Sequence, residues 1–386
     1  MEEFIPYSRQ TITQDDIDAV VASLQSDFLT QGPRIEKFEA AIADLTGAKH
    51  AVAVCNATAA LHLACLSLGV GTGDTVWTVP NSFVASANCA RYCGARVDFI
   101  DIDATTRNLC VKSLQDRLEN AARNSTLPKV IIPVDFSGMP CAMPEIADLA
   151  RSYSVKIIED SSHALGASIG GRNVGSAWAD IVVLSFHAVK VITTAEGGMC
   201  LTNDDALAEK LRLLRSHGIT RDPQKMVNPP EGSYYYEQID LGFNYRMTDL
   251  QAALGIAQLR RLPLLHAKRE HLARRYDRLL GGLPLQLPAR IDNYVSAHHL
   301  YVIELLGSVS RNQVFDHLRQ SGIGVNVHYI PIHLQPDYAQ FGYQRGMYPV
   351  SERYYDRAIT IPLFPDMTEA QQDRVVAEIK KSLVLR

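Results

Sequence analysis

Three short stretches of this chain place reactive side chains where a strand-like run gives way to a loop or a helix. In CNATAALHLACLSLG (55–69) an apolar run ends at Cys55, and the turn Asn56–Ala57–Thr58 opens a helical segment. The small residues at 57, 59 and 60 leave the first backbone N–H groups of that helix accessible, and its dipole favours an anion. Phosphate is the natural guest, although the turn taken alone reads first as an ordinary helix cap. In KIIEDSSHALGA (156–167) Asp160 closes an apolar run and is followed by two serines and His163. A carboxylate there is costly to bury without a cation, though by itself it could simply cap the next turn. The Ser-Ser-His string lacks the GxSxG elbow of a serine nucleophile, so a hydrolase triad is set aside. In IVVLSFHAVKVITTAEGGM (181–199) Lys190 follows Ser185 by a short loop and lies among Ala188, Val189, Val191 and Ile192. Desolvation lowers a lysine pKa and makes the amine nucleophilic. The plainer alternative is a stem lying on apolar surface with its head in water.

Taken together, a phosphate cradle, a buried acid and a desolvated lysine match pyridoxal 5′-phosphate. The lysine would form a Schiff base, the acid would pair with the pyridinium nitrogen, and the helix N-terminus would hold the phosphate.

Such groups must be carried by elements that bring them to one edge. Seven apolar runs rich in Val and Ile recur at 50–55, 75–80, 97–102, 129–136, 155–160, 180–186 and 198–203, each bounded by Gly, Pro, Asn or Asp. Runs of this kind read as strands buried on both faces. Helix-like stretches lie between most of them, among them IEKFEAAIADLTG (35–47) and PEIADLARSYS (144–154). The alternation predicts an α/β domain with a mostly parallel sheet of about seven strands, whose ligands bind beyond the C-terminal strand ends. Beyond residue 205 the pattern changes. A helix over 206–218 is expected to end at Gly218, a Pro-, Gly- and Tyr-rich loop follows, and Thr248 is a plausible cap for a long helix interrupted at Pro263. The remainder reads as a smaller α+β domain. The expected division is a large domain over 1–255 and a small C-terminal domain over 256–386.

Composition narrows the partners. The 38 basic and 42 acidic residues leave a net charge of −4, which argues against an electrostatic nucleic-acid binder and offers no polybasic membrane patch. No run approaches the roughly 20 apolar residues of a membrane span, and MEEFIPYSRQ does not read as a secretion signal. Seven cysteines, an odd number without a CxxC, speak against a disulfide framework or structural zinc and for the reducing cytoplasm. GVGTGD (69–74) echoes a dinucleotide fingerprint, but it follows a helix and so reads as a turn.

Several motifs also carry a family resemblance: FLTQGP (28–33), NATAALHLA (56–64), PNSFVASAN (80–88), EDSSHALGA (159–167), SFHAVKVITTAEGG (185–198) and GFNYRMTD (242–249). With these the chain resembles the DegT/StrS-type nucleotide-sugar aminotransferases, pyridoxal-phosphate enzymes of fold type I, from IPYS (5–8) to PLFPDMT (362–368). DSSHALG, RSHG (215–218) and VHYIPI (327–332) look most like the branch of the pseudaminic-acid pathway. The resemblance implies that Lys190 is the Schiff-base lysine, Asp160 the partner of the ring nitrogen, and His163 a neighbour of the ring's phenolic oxygen. It implies further that Phe83 stacks on the ring and that Ala57, Thr58 and Ser185 hold the phosphate. Asn244 would reach that phosphate from the neighbouring subunit, so a homodimer with shared sites is expected. The sugar nucleotide would touch Tyr7, the stretch Asp27, Phe28, Leu29 and Thr30, and the stretch Val327, His328, Tyr329 and Ile330. The implied reaction takes an amino group from L-glutamate to a UDP-linked 4-keto sugar in two alternating half-reactions, with no nucleic acid, membrane or metal involved. Some homologues that act as sugar 3-dehydratases carry histidine in place of the lysine, which Lys190 argues against. A UDP-4-amino-4-deoxy-L-arabinose-type enzyme and a non-enzymatic cofactor-binding regulator stay as alternatives.

Overall fold

The computed structural model describes residues 3–175 and 177–384. Its first large unit is built on β1 (His50–Val54), β2 (Thr75–Thr78), β3 (Arg96–Phe99), β4 (Val130–Ile131), β5 (Lys156–Asp160), a small hairpin of β6 (Ser168–Ile169) and β7 (Arg172–Asn173), then β8 (Ile181–Ser185) and β9 (Gly198–Thr202). All but the hairpin join one sheet in the order β1-β9-β8-β5-β4-β2-β3. Six of the seven strands fall within one of the apolar runs, and β3 begins one residue before its run. Six of them share a direction; β9 alone runs antiparallel to both its neighbours, β1 and β8.

Alternate residues of these strands feed two apolar layers, which is why the runs are continuous rather than period-2. Val52, Val54, Val76, Val130, Ile158 and Val183 face one layer, and Ala53, Val182, Leu184, Met199 and Leu201 face the other side. Helices cover both sides. They are α1 (Gln14–Leu24), α2 (Pro33–Thr46), α3 (Ala57–Ser67), α4 (Ala85–Tyr92), α5 (Val111–Arg123), α6 (Met143–Ser152), α7 (Asp205–Arg215), α8 (Asp249–Arg260) and α9 (Leu262–Leu280). In α2 the expected stripe is buried at Ile35, Phe38 and Ile42, and Gly47 ends the helix in the left-handed region at φ 74°. Thr248 caps α8 in a capping box with Gln251, and Pro263 sits in the first turn of α9, where its missing N–H costs nothing.

One helix end differs from expectation. α7 stops at Arg215 rather than running to Gly218. The carbonyls of Leu214 and Arg215 accept from Phe243 N–H at 2.7 Å and Tyr245 N–H at 3.1 Å, so a neighbouring segment takes the bonds that another helical turn would have used. Gly218 has another task there: a Cβ on it would lie 2.0 Å from the Asp240 carbonyl oxygen.

After α9 a three-stranded antiparallel sheet (Leu285–Gln286, Tyr301–Leu305, Ala358–Ile361) packs with helices Arg311–Gln320 and Glu369–Ser382. Ile5 is buried in this second core and pairs with Ile323, so the first residues of the chain run alongside the C-terminal part. A cleft of about 640 Å³ opens at the C-terminal ends of β1, β5 and β8, and residues 299–300 and 326–329 form its opposite wall. No described helix is long and apolar enough to cross a membrane.

Candidate active site

The cleft brings together most of the residues singled out above. Tyr7, Ala57, Thr58, Phe83, Asp160, His163, Ser185, Lys190, Val327, His328 and Tyr329 all line it. Asp27, Phe28, Leu29, Thr30, Ile330 and Asn244 are exposed and do not line the cleft of this chain. Asn244 pairs with Ser216 in an antiparallel bridge, and Thr30 pairs with Thr248.

The floor at the start of α3 is an array of backbone donors. Asn56 Oδ1 accepts from Ala59 N–H at 2.8 Å, and the N–H groups of Ala57 and Thr58 are left pointing outward, as the first turn of a helix requires. Gly198, the first residue of β9, passes so close that a Cβ on it would lie 2.4 Å from the Asn56 carbonyl carbon and 2.6 Å from the Ala57 nitrogen. Any side chain there would displace the cap. Ser185, at the end of β8, adds a hydroxyl to the same side.

Asp160 is 4% exposed, and three donors hold its two oxygens. Ser86 Oγ donates to Oδ2 at 2.6 Å, while Ser162 donates to Oδ1 from its Oγ at 2.6 Å and from its N–H at 3.2 Å. Ser82 lies 2.7 Å from Ser86 and steadies that hydroxyl. These serines were not singled out from the sequence, although all three lie inside its motifs. Nothing in a lone sequence says which serine of PNSFVASAN reaches a carboxylate on another strand.

Lys190 sits on the loop joining β8 to β9. That loop is closed by Phe186 N–H donating to Gly197 O at 2.9 Å and Thr194 N–H to Phe186 O at 2.9 Å. Burial lowers the lysine pKa from 10.5 to about 8, with the Asp160 carboxylate opposing part of the shift. About a tenth of the amine is therefore uncharged at pH 7, against well under a thousandth for a solvated lysine, and the uncharged form is the one that can attack a carbonyl or accept a proton.

Three imidazoles surround this amine. Burial first, then the charge of Lys190, pushes His328 down to about 4. His163 and His299 are held well below the usual range, again by burial first. All three are neutral at working pH. His163 Nδ1 accepts from Ser137 N–H at 3.2 Å, and a backbone N–H can only donate. The ring hydrogen is thus assigned to Nε2, which donates to the Tyr329 hydroxyl oxygen at 3.2 Å and leaves the tyrosine proton for the cleft. His299, packed 4.5 Å from the His163 ring, was not foreseen from the sequence.

These residues fit pyridoxal phosphate. The outward N–H pair and the space that Gly198 keeps open suit its phosphate, and the carboxylate of Asp160 suits a protonated ring nitrogen. Phe83 leaves 59% of its apolar surface bare at the rim of a polar cleft, as a ring-stacking group would.

Comparison with known proteins agrees with this fit. The DegT/DnrJ/EryC1/StrS aminotransferase family model matches residues 10–380. Among curated proteins, the chain is 39% identical to an uncharacterized protein of Methanocaldococcus jannaschii, across 98% of both chains. It is 37% identical to the spore coat polysaccharide biosynthesis protein SpsC of Bacillus subtilis, across 98% of this chain and 96% of that one. Among solved structures, PseC of Helicobacter pylori, an aminotransferase involved in the biosynthesis of pseudoaminic acid, superposes with a TM-score of 0.91 at 31% identity and 99% coverage of both chains. Spr1654 of Streptococcus pneumoniae, solved in a PLP form and a PMP form, superposes at 0.89 with 29% identity and 98% coverage of both. The fold-type-I sheet, the cleft at its strand ends and the match along nearly the whole sequence have one reading: this chain belongs to the DegT/DnrJ/EryC1/StrS family and is a pyridoxal-phosphate-dependent sugar aminotransferase.

Proposed function

We propose that the enzyme transfers the amino group of L-glutamate to C4 of a UDP-linked 4-keto-6-deoxy sugar, UDP-2-acetamido-2,6-dideoxy-β-L-arabino-hex-4-ulose, for pseudaminic-acid-type or surface-glycan synthesis in the cytoplasm. The observation that carries this reading is the likeness to PseC, which runs the full length of both chains. Bound pyridoxal phosphate supplies the electron-withdrawing ring that stabilises negative charge at the reacting carbon, and it stores the amino group between two alternating half-reactions.

The rest falls to this chain's own residues. Lys190 Nζ would take the proton from the α-carbon of the donor and return it two bonds away, to the carbon on the far side of the amino nitrogen; in the second half it would work in reverse on the sugar carbon. Asp160, held by Ser86 and Ser162, keeps a carboxylate at the ring nitrogen. Ala57, Thr58 and Ser185 hold the phosphate, and Phe83 covers one ring face. Tyr329 presents its hydroxyl proton to the cleft, with Tyr7, Val327 and His328 forming the wall that meets the sugar.

Charge supports a shared site. Lys190 is the one lysine, and no arginine appears, among the described residues that line the cleft. Yet the cofactor phosphate, a nucleoside diphosphate and the glutamate carboxylates are all anions. The missing donors then come from a second subunit: Asn244 of the partner subunit at the phosphate, and exposed segments such as 27–30 at the nucleotide.

Two measurements test these statements. Given glutamate and a panel of UDP- and dTDP-linked 4-keto sugars, the enzyme should form the 4-amino product fastest from the UDP-linked N-acetylated sugar, as read by mass spectrometry. Faster amination of a dTDP sugar or of the arabinose-type substrate would replace the substrate named here. For the shared site, Lys190→Ala and Asn244→Asp should each be nearly inactive alone, the second because a carboxylate beside the phosphate is repelled. Reassembled hybrids should regain activity, since one of their two sites carries neither change. Hybrids proven by mass spectrometry yet inactive would return Asn244 to its own chain's site or remove its role.

A further inference from the structure

Behind Asp160 lies a second pair of acids that the reaction does not use. Glu159 and Asp135 are both 0% exposed, and among the described residues no cation pairs with either. Strand alternation turns Glu159 and Ser161 to the face of β5 opposite Asp160. Ser161, on the same side of the strand as Glu159, donates to Asp135, so the two acids share one buried region and each shifts the other's titration. Two carboxylates are acceptors only, so a bond between them requires a proton.

The geometry assigns that proton to one partner. Asp135 Oδ1 accepts from Cys141 N–H at 2.7 Å, and Oδ2 accepts from Ser161 Oγ at 2.7 Å. Asp135 therefore has the donors that a buried anion needs. Neither oxygen of Glu159 has a donor, so Glu159 is the acid that carries the proton and gives it to Asp135.

Asp135 is also where the neighbouring turn is tied to the catalytic strand. Its N–H donates to Asp160 O at 3.1 Å, Asp160 N–H donates to Pro133 O at 2.9 Å, and Val134 pairs with Asp160 in a parallel bridge. The turn that its carboxylate holds through Cys141 includes Ser137, whose N–H meets His163 Nδ1 and whose Oγ donates to Leu300 O at 2.7 Å. We propose that Glu159 and Asp135 form a one-proton carboxyl pair that positions Asp160 and His163 toward the cofactor and keeps a single buried negative charge behind Asp160. They are positioning residues; neither touches the cleft. The positioning part rests on the roles given above to Asp160 and His163.

The direction of titration agrees with the geometry. Burial first, then the charge of Asp135, raises Glu159 well above the ordinary 4.5, whereas Asp135, also pushed up by burial but opposed by its donors, rises to about 6. The Cys141 thiol beside them is raised by burial and by both acids, so it stays neutral. In the folded chain Glu159 keeps a proton that the unfolded chain releases near 4.5. Its contribution to stability is complete below that pH and is lost as pH rises through the folded value.

Glu159→Gln and Glu159→Ala decide the matter. The Gln amide can still donate to Asp135, so kcat and the visible spectrum of the loaded enzyme should stay within about twofold of wild type. Glu159→Ala should lose about tenfold in kcat, ~1.4 kcal/mol in the barrier, and its absorbance band should titrate at a different pH. In cofactor-free protein, the stability of wild type relative to Glu159→Gln should fall as pH rises from 4.5 toward the folded value, because there the unfolded wild-type chain has released a proton that the folded one keeps. Equal damage by Gln and Ala, or a wild-type kcat and band midpoint in Glu159→Ala, would overturn the positioning role. A pH-independent difference in stability would overturn the shared proton, and this last reading needs no folded Ala variant. It is also independent of the roles of Asp160 and His163: a sloping difference alongside a harmless Asp160→Ala would leave the pair standing and the site assignment wrong.

Discussion

Lys190→Ala is expected to abolish both turnover and the visible absorbance band of the lysine-bound cofactor. No other lysine lines the cleft among the described residues, and on the proposed reading the substitution removes at once the amine that bonds the cofactor and the base that moves the proton. The base alone is worth about 10²–10⁴-fold, so residual activity should fall below about a thousandth. The protein itself should not suffer. In the folded chain the amine sheds its proton near pH 8, against 10.5 for a solvated lysine. Wild-type cofactor-free protein therefore gains stability as pH rises across that window, because the unfolded chain still binds the proton there. The variant should lack this rise and melt at the same or a higher temperature at pH 7. Added pyridoxamine phosphate should still bind through the Ala57–Thr58 cradle. In wild type, the rate at which added pyridoxal phosphate generates the band should increase through about pH 8 as the amine is freed. A variant with full turnover, or with an intact band, would remove Lys190 from its role.

The second large effect is expected at Asp160. Replacing it with alanine leaves the ring nitrogen without its carboxylate and strands two hydroxyls, Ser86 and Ser162, that now donate to it. Removing one partner of a buried ion pair typically costs about 3–5 kcal/mol, so kcat should drop by two to three powers of ten, on the order of the same energy. KM should change far less, because the cradle and the sugar wall are untouched. Asp160→Asn should keep one acceptor oxygen for Ser162 while its amide donates to Ser86, leaving the fold intact yet the reaction slow, which separates electronic from structural damage. If Asp160→Ala retained more than about a tenth of kcat, a barrier change of only ~1.4 kcal/mol, the role would belong elsewhere.

How far the sequence could lead depended on what kind of signal each feature left. All seven sheet strands were visible, because strands covered on both faces are runs of Val and Ile with few competing readings. Their directions were not: periodicity cannot reveal that β9 runs against its neighbours. α1 left no clear signal, since its pattern is inverted. Ile17, Val21 and Leu24 are exposed, whereas Asp16 is fully buried and accepts from Gln258 at 2.8 Å and Arg261 at 2.7 Å. The chemistry-bearing trio of Asn56–Thr58, Asp160 and Lys190 was legible because each lies at or shortly beyond the end of a strand. Ser86, Ser162 and His299 were not, because each matters only through a partner distant in sequence. Residues 27–30, Ile330 and Asn244 were expected at the site, and one chain alone does not bring them there.

The pairing of β1 with β9 bears on how the enzyme comes to exist in a cell. Val54 lies opposite Gly198, and His50 opposite Thr202, so the strand that leads into the proposed phosphate cradle has its hydrogen-bonding partner far downstream. On a chain emerging from the ribosome, Asn56, Ala57 and Thr58 are made early, but the neighbour that holds them in place arrives only when Thr202 has been synthesised. Closing so long a loop is slow relative to local helix formation, and until it closes β1 has an open edge that can pair wrongly. Cofactor capture is therefore a late event in folding, and the visible colour of the enzyme marks molecules whose sheet is complete.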